Sequence, residues 1–278
     1  EGIYTDYNHA DAVIAVNDFI HALPNGEKDY LDEIRQFSER LYERSATGEE
    51  AYFLDKTPRY HLIVEEIFRV FPDAKYIFLW RNPLSIVASL LQSFLGDKWI
   101  LHRSKIDLYT GLSNLIDAYE KYSDLAISLR YEDLIASPEL ECERIFSYLE
   151  LPNENEILND LSNGPLLAGQ MGDRLGSTQY NTINQEPLEK WKSAMRNPVR
   201  KAWCRKYIQW IGKDRLTIMG YEQDKLLKEL KATPTSIWGA PTDAMWMAYS
   251  AMVCVTQPRL IVDNLKKHKL WTSMTPLN

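Results

Sequence analysis

Residues 76–89 read YIFLWRNPLSIVAS, and this stretch decides the fold class. Its first five residues form a continuous apolar run, which is typical of a strand buried on both faces. Asn82 followed by Pro83 is typical of a helix start, with a capping side chain and a proline at the first helical position. The stretch therefore predicts a buried strand, a turn at Arg81 and a helix that continues to about Phe94.

Two other segments repeat this order of apolar run, polar turn and helix. Residues 51–54 are followed by DKTP, and residues 125–129 are followed by RYED. After the second of these, Ser137 and Pro138 predict another capped helix start. Apolar strands that alternate with helices predict an α/β fold, with a central parallel sheet flanked by helices on both faces.

The rest of the chain predicts helices and one long loop. We expect a single domain, in which residues 1–230 form the α/β part and residues 231–278 a helical C-terminal extension packed on it. The apolar segment 237–254 is interpreted as a helix packed on the core, with an acceptor-side wall or a homodimer face as alternatives. The predicted helices cover residues 6–23, 27–44, 104–122, 198–211 and 244–255, and the loop covers residues 164–187.

Composition excludes several classes of protein. A chain of 278 residues with 45% hydrophobic and 26% charged residues is neither disordered, collagen-like nor disulfide-stapled. Its 12 glycines are about 4% of the chain, against a usual figure near 7%, and neither GxGxxG nor GxxxxGK[ST] occurs. A complete glycine-rich nucleotide loop is therefore not encoded within these residues.

The net charge and the cysteine content exclude further classes of protein. A net charge of −7 and a pI near 5.4 argue against a general nucleic-acid binder, but they permit a local basic pocket. The three cysteines form no CxxC and no HExxH occurs, so no metal site is predicted. The serine-nucleophile motif GxSxG is also absent from the sequence. The most apolar stretch, residues 245–255, is too short to cross a membrane. We therefore expect a cytoplasmic protein without a transmembrane segment.

Polar side chains follow each predicted strand at the edge where ligands of open α/β sheets bind. Arg81 leaves one strand, and Ser85 and Ser89 share a face of the helix that follows it. A guanidinium fork with hydroxyl groups suits a dianionic phosphate. The alternative is that Arg81 pairs with carbonyls or acids of the chain and that the serines are solvated.

Three motifs in this order resemble the PAPS-dependent sulfotransferases. RNPLSIVAS (residues 81–89) resembles their 3′-phosphate-binding motif, in which arginine and serine are eight residues apart. RYEDLIASPE (residues 130–139) resembles the next signature, and FLDKTPRY (residues 53–60) resembles the segment upstream of the phosphate motif. The resemblance covers about residues 50–190 and implies the P-loop NTPase-like sulfotransferase fold.

The resemblance implies a role for several residues. Arg81 and Ser89 would bind the 3′-phosphate of the donor, and Tyr131 would line the adenine side of the nucleotide site. Lys56 would lie near the transferred sulfuryl group, unless it pairs with Asp55. Arg174, in GDRLGSTQYNTINQEPLEKW (residues 172–191), is the best basic candidate in a loop that resembles the one closing over the nucleotide.

One family feature is missing, and the general base is not assigned by any motif. Sulfotransferases begin with a strand and a PRSGTT-like loop for the 5′-phosphosulfate, and no such sequence occurs here. We therefore expect the chain to start inside the domain. Transfer to a hydroxyl needs a proton acceptor. His61 is the candidate nearest to Lys56 in sequence, ahead of Glu1, His9 and His21.

The function implied by the resemblance is transfer of a sulfuryl group from 3′-phosphoadenylyl sulfate (PAPS) to a hydroxyl group, with adenosine 3′,5′-bisphosphate (PAP) as product and no metal. The acceptor is left open among sugars, lipids and small molecules. The alternative is a catalytically inactive nucleotide-binding or scaffold module of the same fold. A P-loop kinase relative is disfavoured because no Walker lysine is present.

Overall fold

A computed structural model describes residues 9–46, 48, 52–152 and 186–256 of the chain. The chain divides into two compact units, residues 1–74 and residues 75–278. The predicted boundary at residue 230 stays a prediction, because this division does not test it.

The first unit is helical. Helix α1 spans His9–Ala22, α2 spans Glu27–Ser45, and α3 spans Val64–Val70 after a short 3₁₀ turn at Tyr60–Leu62. These bounds confirm the two helices predicted over residues 6–23 and 27–44. Helix α2 packs against both of its neighbours.

The strand predicted for residues 51–54 is wrong for the part of it that the structure describes. Residues 52–57 form no strand, and Leu54 is 81% exposed. A strand needs a neighbour whose backbone groups complete its hydrogen bonds. Within the described residues only two strands occur, and each pairs with the other.

The second unit contains the sheet. Strand β1 spans Tyr76–Trp80 and β2 spans Ala126–Arg130, and the two are parallel with Trp80 opposite Arg130. The parallel pairing confirms the prediction for these two segments. The larger central sheet that the resemblance implies does not occur among the described residues, which form a mostly helical α/β structure.

The connection from β1 to β2 begins as the sequence predicts. Helix α4 spans Pro83–Ser93, and the Asn82 side chain accepts a hydrogen bond of 2.9 Å from the Leu84 N–H. The helix predicted over residues 104–122 is divided into a 3₁₀ segment, a π-helical segment and an α-helix. These pieces span Leu101–Ser104, Ile106–Gly111 and α5, Leu112–Tyr122.

The two faces of β1 have different surroundings. Phe78 and Trp80 pack against Tyr119 of α5, with ring centres 5.2 and 5.8 Å apart. On the opposite face Ile77 and Leu79 are 37% and 55% exposed. The expectation of a strand covered on both faces is therefore wrong for β1 within the described residues. The apolar run also agrees with the high strand propensity of its residues.

Seven helices of the described chain follow β2. Their bounds are α6 Tyr131–Ala136, α7 Pro138–Leu149, α8 Glu186–Ala194, α9 Pro198–Ile211, α10 Lys213–Ile218, α11 Gln223–Ala232 and α12 Ala240–Thr256. Helix α7 begins at Pro138 as predicted, but the Ser137 side chain makes no capping hydrogen bond. Helix α9 has the predicted bounds, and α12 contains the predicted helix 244–255. The predicted loop lies outside the described residues except at its end, where α8 begins.

A buried ion pair joins α9 to α12. Arg200 Nε donates to Asp243 Oδ2 at 2.7 Å, and Asn197 Nδ2 donates to the same oxygen at 2.8 Å. Arg200 also pairs with Asp97 at 3.0 Å, but the Asp97 side chain is 69% exposed whereas that of Asp243 is 6% exposed. The Asp243 carboxylate is thus the buried partner of this arginine.

Replacement of Asp243 by alanine should destabilise the fold strongly. The change leaves Arg200 and Asn197 without their buried acceptor, and we expect the free energy of unfolding in urea to fall by about 3 kcal/mol. Asp97→Ala, which removes the exposed partner of the same arginine, should lower it by less than about 1 kcal/mol. Equal losses in the two variants would show that burial of the pair is irrelevant.

Candidate functional site

The carboxyl ends of the two strands carry the candidate site. Because Trp80 lies opposite Arg130, Arg81 and Tyr131 leave the sheet side by side. The Arg81 guanidinium carbon lies 4.5 Å from the centre of the Tyr131 ring, within the range of a cation–π contact. The structure thus brings together two of the residues that the sequence predicts for one site.

Polar atoms without a partner lie at this edge. Arg81 Nε and Ser85 Oγ are buried, and neither has a hydrogen-bond partner among the described residues. Ser85 is in the first turn of α4, where backbone N–H groups also lack helical acceptors and the helix dipole is positive. Ser89 is half-buried one turn further along α4. Guanidinium, hydroxyl and helix N-terminus together favour an oxyanion.

Glu132 holds this edge together, and the sequence analysis did not assign it a role. Its Oε1 accepts a 3.0 Å hydrogen bond from the backbone N–H of Asn82. Its Oε2 accepts a hydrogen bond from the Tyr221 hydroxyl. Burial, together with this hydrogen bond to Glu132, raises the pKa of Tyr221, so the hydroxyl stays protonated as a donor. One carboxylate thereby joins the turn after β1, the start of α6 and the segment before α11.

Arg130 occupies the space beside Tyr221. Its guanidinium carbon lies 4.7 Å from the centre of the Tyr221 ring, and its Nη1 lies 3.6 Å from Asp133 Oδ2. Gly220 has a φ of +82°, and a Cβ there would lie 2.7 Å from Arg130 Cδ. Any other residue at position 220 would need a strained left-handed backbone, and its Cβ would come too close to the Arg130 side chain. No local sequence signal connects Gly220 or Tyr221 to this arginine.

Two further predicted residues lie in the first unit. Lys56 is exposed, and none of the ion pairs within the described residues joins it to Asp55. The Asp55 carboxylate instead accepts hydrogen bonds of 2.6 Å from the hydroxyls of Tyr42 and Tyr60. His61 is buried on the 3₁₀ turn.

The remaining candidates are placed as follows. Arg174 and Glu1 lie outside the described residues, and His9 and His21 lie on α1. His21 Nδ1 is 2.7 Å from the carbonyl oxygen of Asn17, one turn earlier on that helix.

Two parallel strands whose ends meet a helix N-terminus and an arginine define an α/β protein with a candidate anion site at this edge. A sequence model described as "Sulfotransferase family" matches residues 5–155, which is more than half of the chain. The chain belongs to the sulfotransferase family. The match includes Lys56, Arg81, Ser89 and Tyr131, but it ends before Tyr221.

A curated relative gives a more distant comparison. The chain is 24% identical over 222 residues to the nodulation protein NoeE of Sinorhizobium fredii (strain NBRC 101917 / NGR234). The alignment covers 71% of this chain and 51% of that relative, so the chain spans about half the length of the protein it matches. No solved structure matches the chain. Among the described residues, no helix is both long and apolar enough to cross a membrane.

The Glu132 bridge predicts a measurable contribution to stability. In Glu132→Ala the Asn82 N–H and the Tyr221 hydroxyl both lose their acceptor, and we expect the free energy of unfolding to fall by about 2 kcal/mol. Glu132→Gln keeps an oxygen that accepts from the Asn82 N–H, and its amide N–H can donate to the Tyr221 hydroxyl oxygen, so it should lose less than half as much. Urea denaturation of the two variants tests this, and similar losses would contradict the bridging role.

Proposed function

We propose that the chain transfers a sulfuryl group from PAPS to a hydroxyl group of an acceptor in the cytoplasm. The observation that carries the proposal is the pair of unpartnered buried atoms, Arg81 Nε and Ser85 Oγ, at the start of α4 in a chain of the sulfotransferase family. A phosphate group supplies the acceptor oxygens that these donors lack. The acceptor is a hydroxyl on a sugar, a lipid or a small molecule.

Arg81 and Ser89 are proposed to bind the 3′-phosphate of the donor. The guanidinium supplies charge and paired donors, and the hydroxyl on the next turn of α4 supplies a third donor. Ser85 lies between them in sequence and adds a hydroxyl that the motif comparison did not single out. Tyr131 is proposed to line the adenine side, with its ring oriented by the Arg81 guanidinium at 4.5 Å. Arg174 is proposed as a further phosphate contact.

The chemical step is proposed to use Lys56 and His61. The sulfur–oxygen bond to the donor phosphate breaks while the acceptor oxygen forms a new bond to sulfur, and PAP leaves. Lys56 neutralises the charge that develops on the leaving oxygen. This role for Lys56 is supported by the finding that, within the described residues, Lys56 forms no ion pair with Asp55. His61 accepts the proton of the hydroxyl group.

Equilibrium binding of PAP tests the nucleotide site. Loss of one charged donor weakens a phosphate contact by about 1.5–3 kcal/mol, so Arg81→Ala should raise the Kd for PAP about tenfold to a hundredfold in calorimetry. The same variant should change the Kd for adenosine 5′-monophosphate, which lacks the 3′-phosphate, by less than threefold. Arg103→Ala, at an exposed arginine of the second unit, is the matched control.

The outcomes separate the alternatives. If the wild-type chain does not bind PAP, the nucleotide site is refuted. If it binds PAP but transfers no sulfuryl group from PAPS to any of a panel of hydroxyl acceptors, the catalytically inactive module is the better description.

Lys56 should affect turnover more than donor binding. Because Lys56 is proposed to act on charge that develops only in the transition state, Lys56→Ala should lower kcat for sulfuryl transfer by at least tenfold. The KM for PAPS should change by less than threefold. Lys56→Arg, which keeps the charge, should restore part of kcat. A rise in KM at unchanged kcat would instead assign Lys56 to ground-state binding.

A further inference from the structure

A second cationic cluster lies away from the strand ends, in a groove between α9 and α11. The groove has a volume of about 500 Å³, and no carboxylate lines it. Its lining consists of four cations and two leucines: Lys201, Arg205, Leu227, Lys228, Leu230 and Lys231. None of these four cations forms an ion pair with a residue that the structure describes. This concentration of positive charge contrasts with the net charge of −7 for the chain.

Lys201 is the buried member of the cluster. It is 8% exposed, and its ammonium group donates to the carbonyl oxygen of Thr233 and, at 2.9 Å, to Thr235 Oγ1. Both partners are neutral, although a buried charge ordinarily needs a counter-charge. The neighbouring Arg200 meets that need with two aspartates. An ammonium group has three donors, so one remains for a ligand.

The negative end of the α11 helix dipole does not compensate for the positive charge of the cluster. Thr233 follows the last residue of that helix, and a helix C-terminus supplies a partial negative charge of about half a unit. Arg205, Lys228 and Lys231, which are exposed, form no ion pair with a described residue in the same groove. Lys228 and Lys231 are three residues apart on one helix, and Lys201 and Arg205 are four apart on the other, spacings at which like charges repel. An anion in the groove would relieve this repulsion.

We propose that the groove binds a ligand with a sulfate or phosphate ester on a short apolar chain. The ester oxygens pair with Lys201, Arg205 and the lysines of α11, while Leu227 and the buried Leu230 contact the chain. The site is separate from the strand ends. Tyr221, which contacts Glu132, precedes the start of α11, whereas Lys231 lies about 12 Å further along the same helix.

Calorimetry with n-hexyl sulfate and the full chain tests this site. Lys201→Met, which keeps the length of the side chain, should raise the Kd at least tenfold, and the exposed double variant Lys228→Ala/Lys231→Ala should do the same if Lys201→Met fails to fold. Lys206→Ala is the matched control, because Lys206 is exposed on α9 but does not line the groove. Its Kd should stay within twofold of the wild type.

Three further ligands test which chemical features of the ligand the groove recognises. n-Hexyl phosphate in place of n-hexyl sulfate shows which ester is preferred, and inorganic sulfate should bind at least threefold more weakly because it lacks the chain. n-Hexyl glucoside, which is neutral, should not bind. Arg81→Ala should leave the Kd for n-hexyl sulfate unchanged, which distinguishes this groove from the proposed nucleotide site. No binding by the wild type, or equal binding by the wild type and the groove variants, would overturn the proposal.

Discussion

The Glu132 carboxylate is the contact on which the candidate site depends. It accepts hydrogen bonds from the Asn82 backbone and from the Tyr221 hydroxyl. Asn82 is also the residue whose side chain caps α4, so one carboxylate fixes the point where a strand ends and a helix begins. Arg81 precedes this point and Ser85 follows it within one turn. Their positions are therefore set by a hydrogen bond to the start of α6, which follows the neighbouring strand, and not by the α4 segment alone.

Buried cationic groups among the described residues differ in whether they have a carboxylate partner. Arg200 is paired with aspartates on both sides, and this pair joins helices of the core. Arg81 and Lys201 are also partly or fully buried, but within the described residues neither pairs with a carboxylate. Burying a charge without a counter-charge is unfavourable, and this is the physical basis of the two binding sites proposed above. One site lies at the strand ends in a sulfotransferase-family chain, and the other lies in the α9–α11 groove.

Local sequence patterns predicted the helices and strands that are specified by residues close together in sequence. The apolar run of β1, the capping by Asn82 and the bounds of α9 all follow from residues close in sequence. Residues 52–54 have a similar apolar pattern but form no strand, because strand formation depends on a neighbour that the pattern does not specify. Ser137 likewise is a residue type that commonly caps helices, but its side chain makes no capping hydrogen bond.

The sequence by itself determined that Arg81 and Tyr131 lie at one edge of the sheet, because parallel strands end at the same edge and each residue directly follows a strand. The contact between their side chains was decided by the tertiary structure. Only the tertiary structure decided that Tyr221, 89 residues after Glu132, completes this edge. It also decided that Lys201 and Lys231, on different helices, line one groove. The physical reason is the distance along the sequence over which each kind of interaction acts. Periodicity and capping act over a few residues, whereas hydrogen bonds and charges between distant segments depend on how the helices pack back on the sheet and on one another.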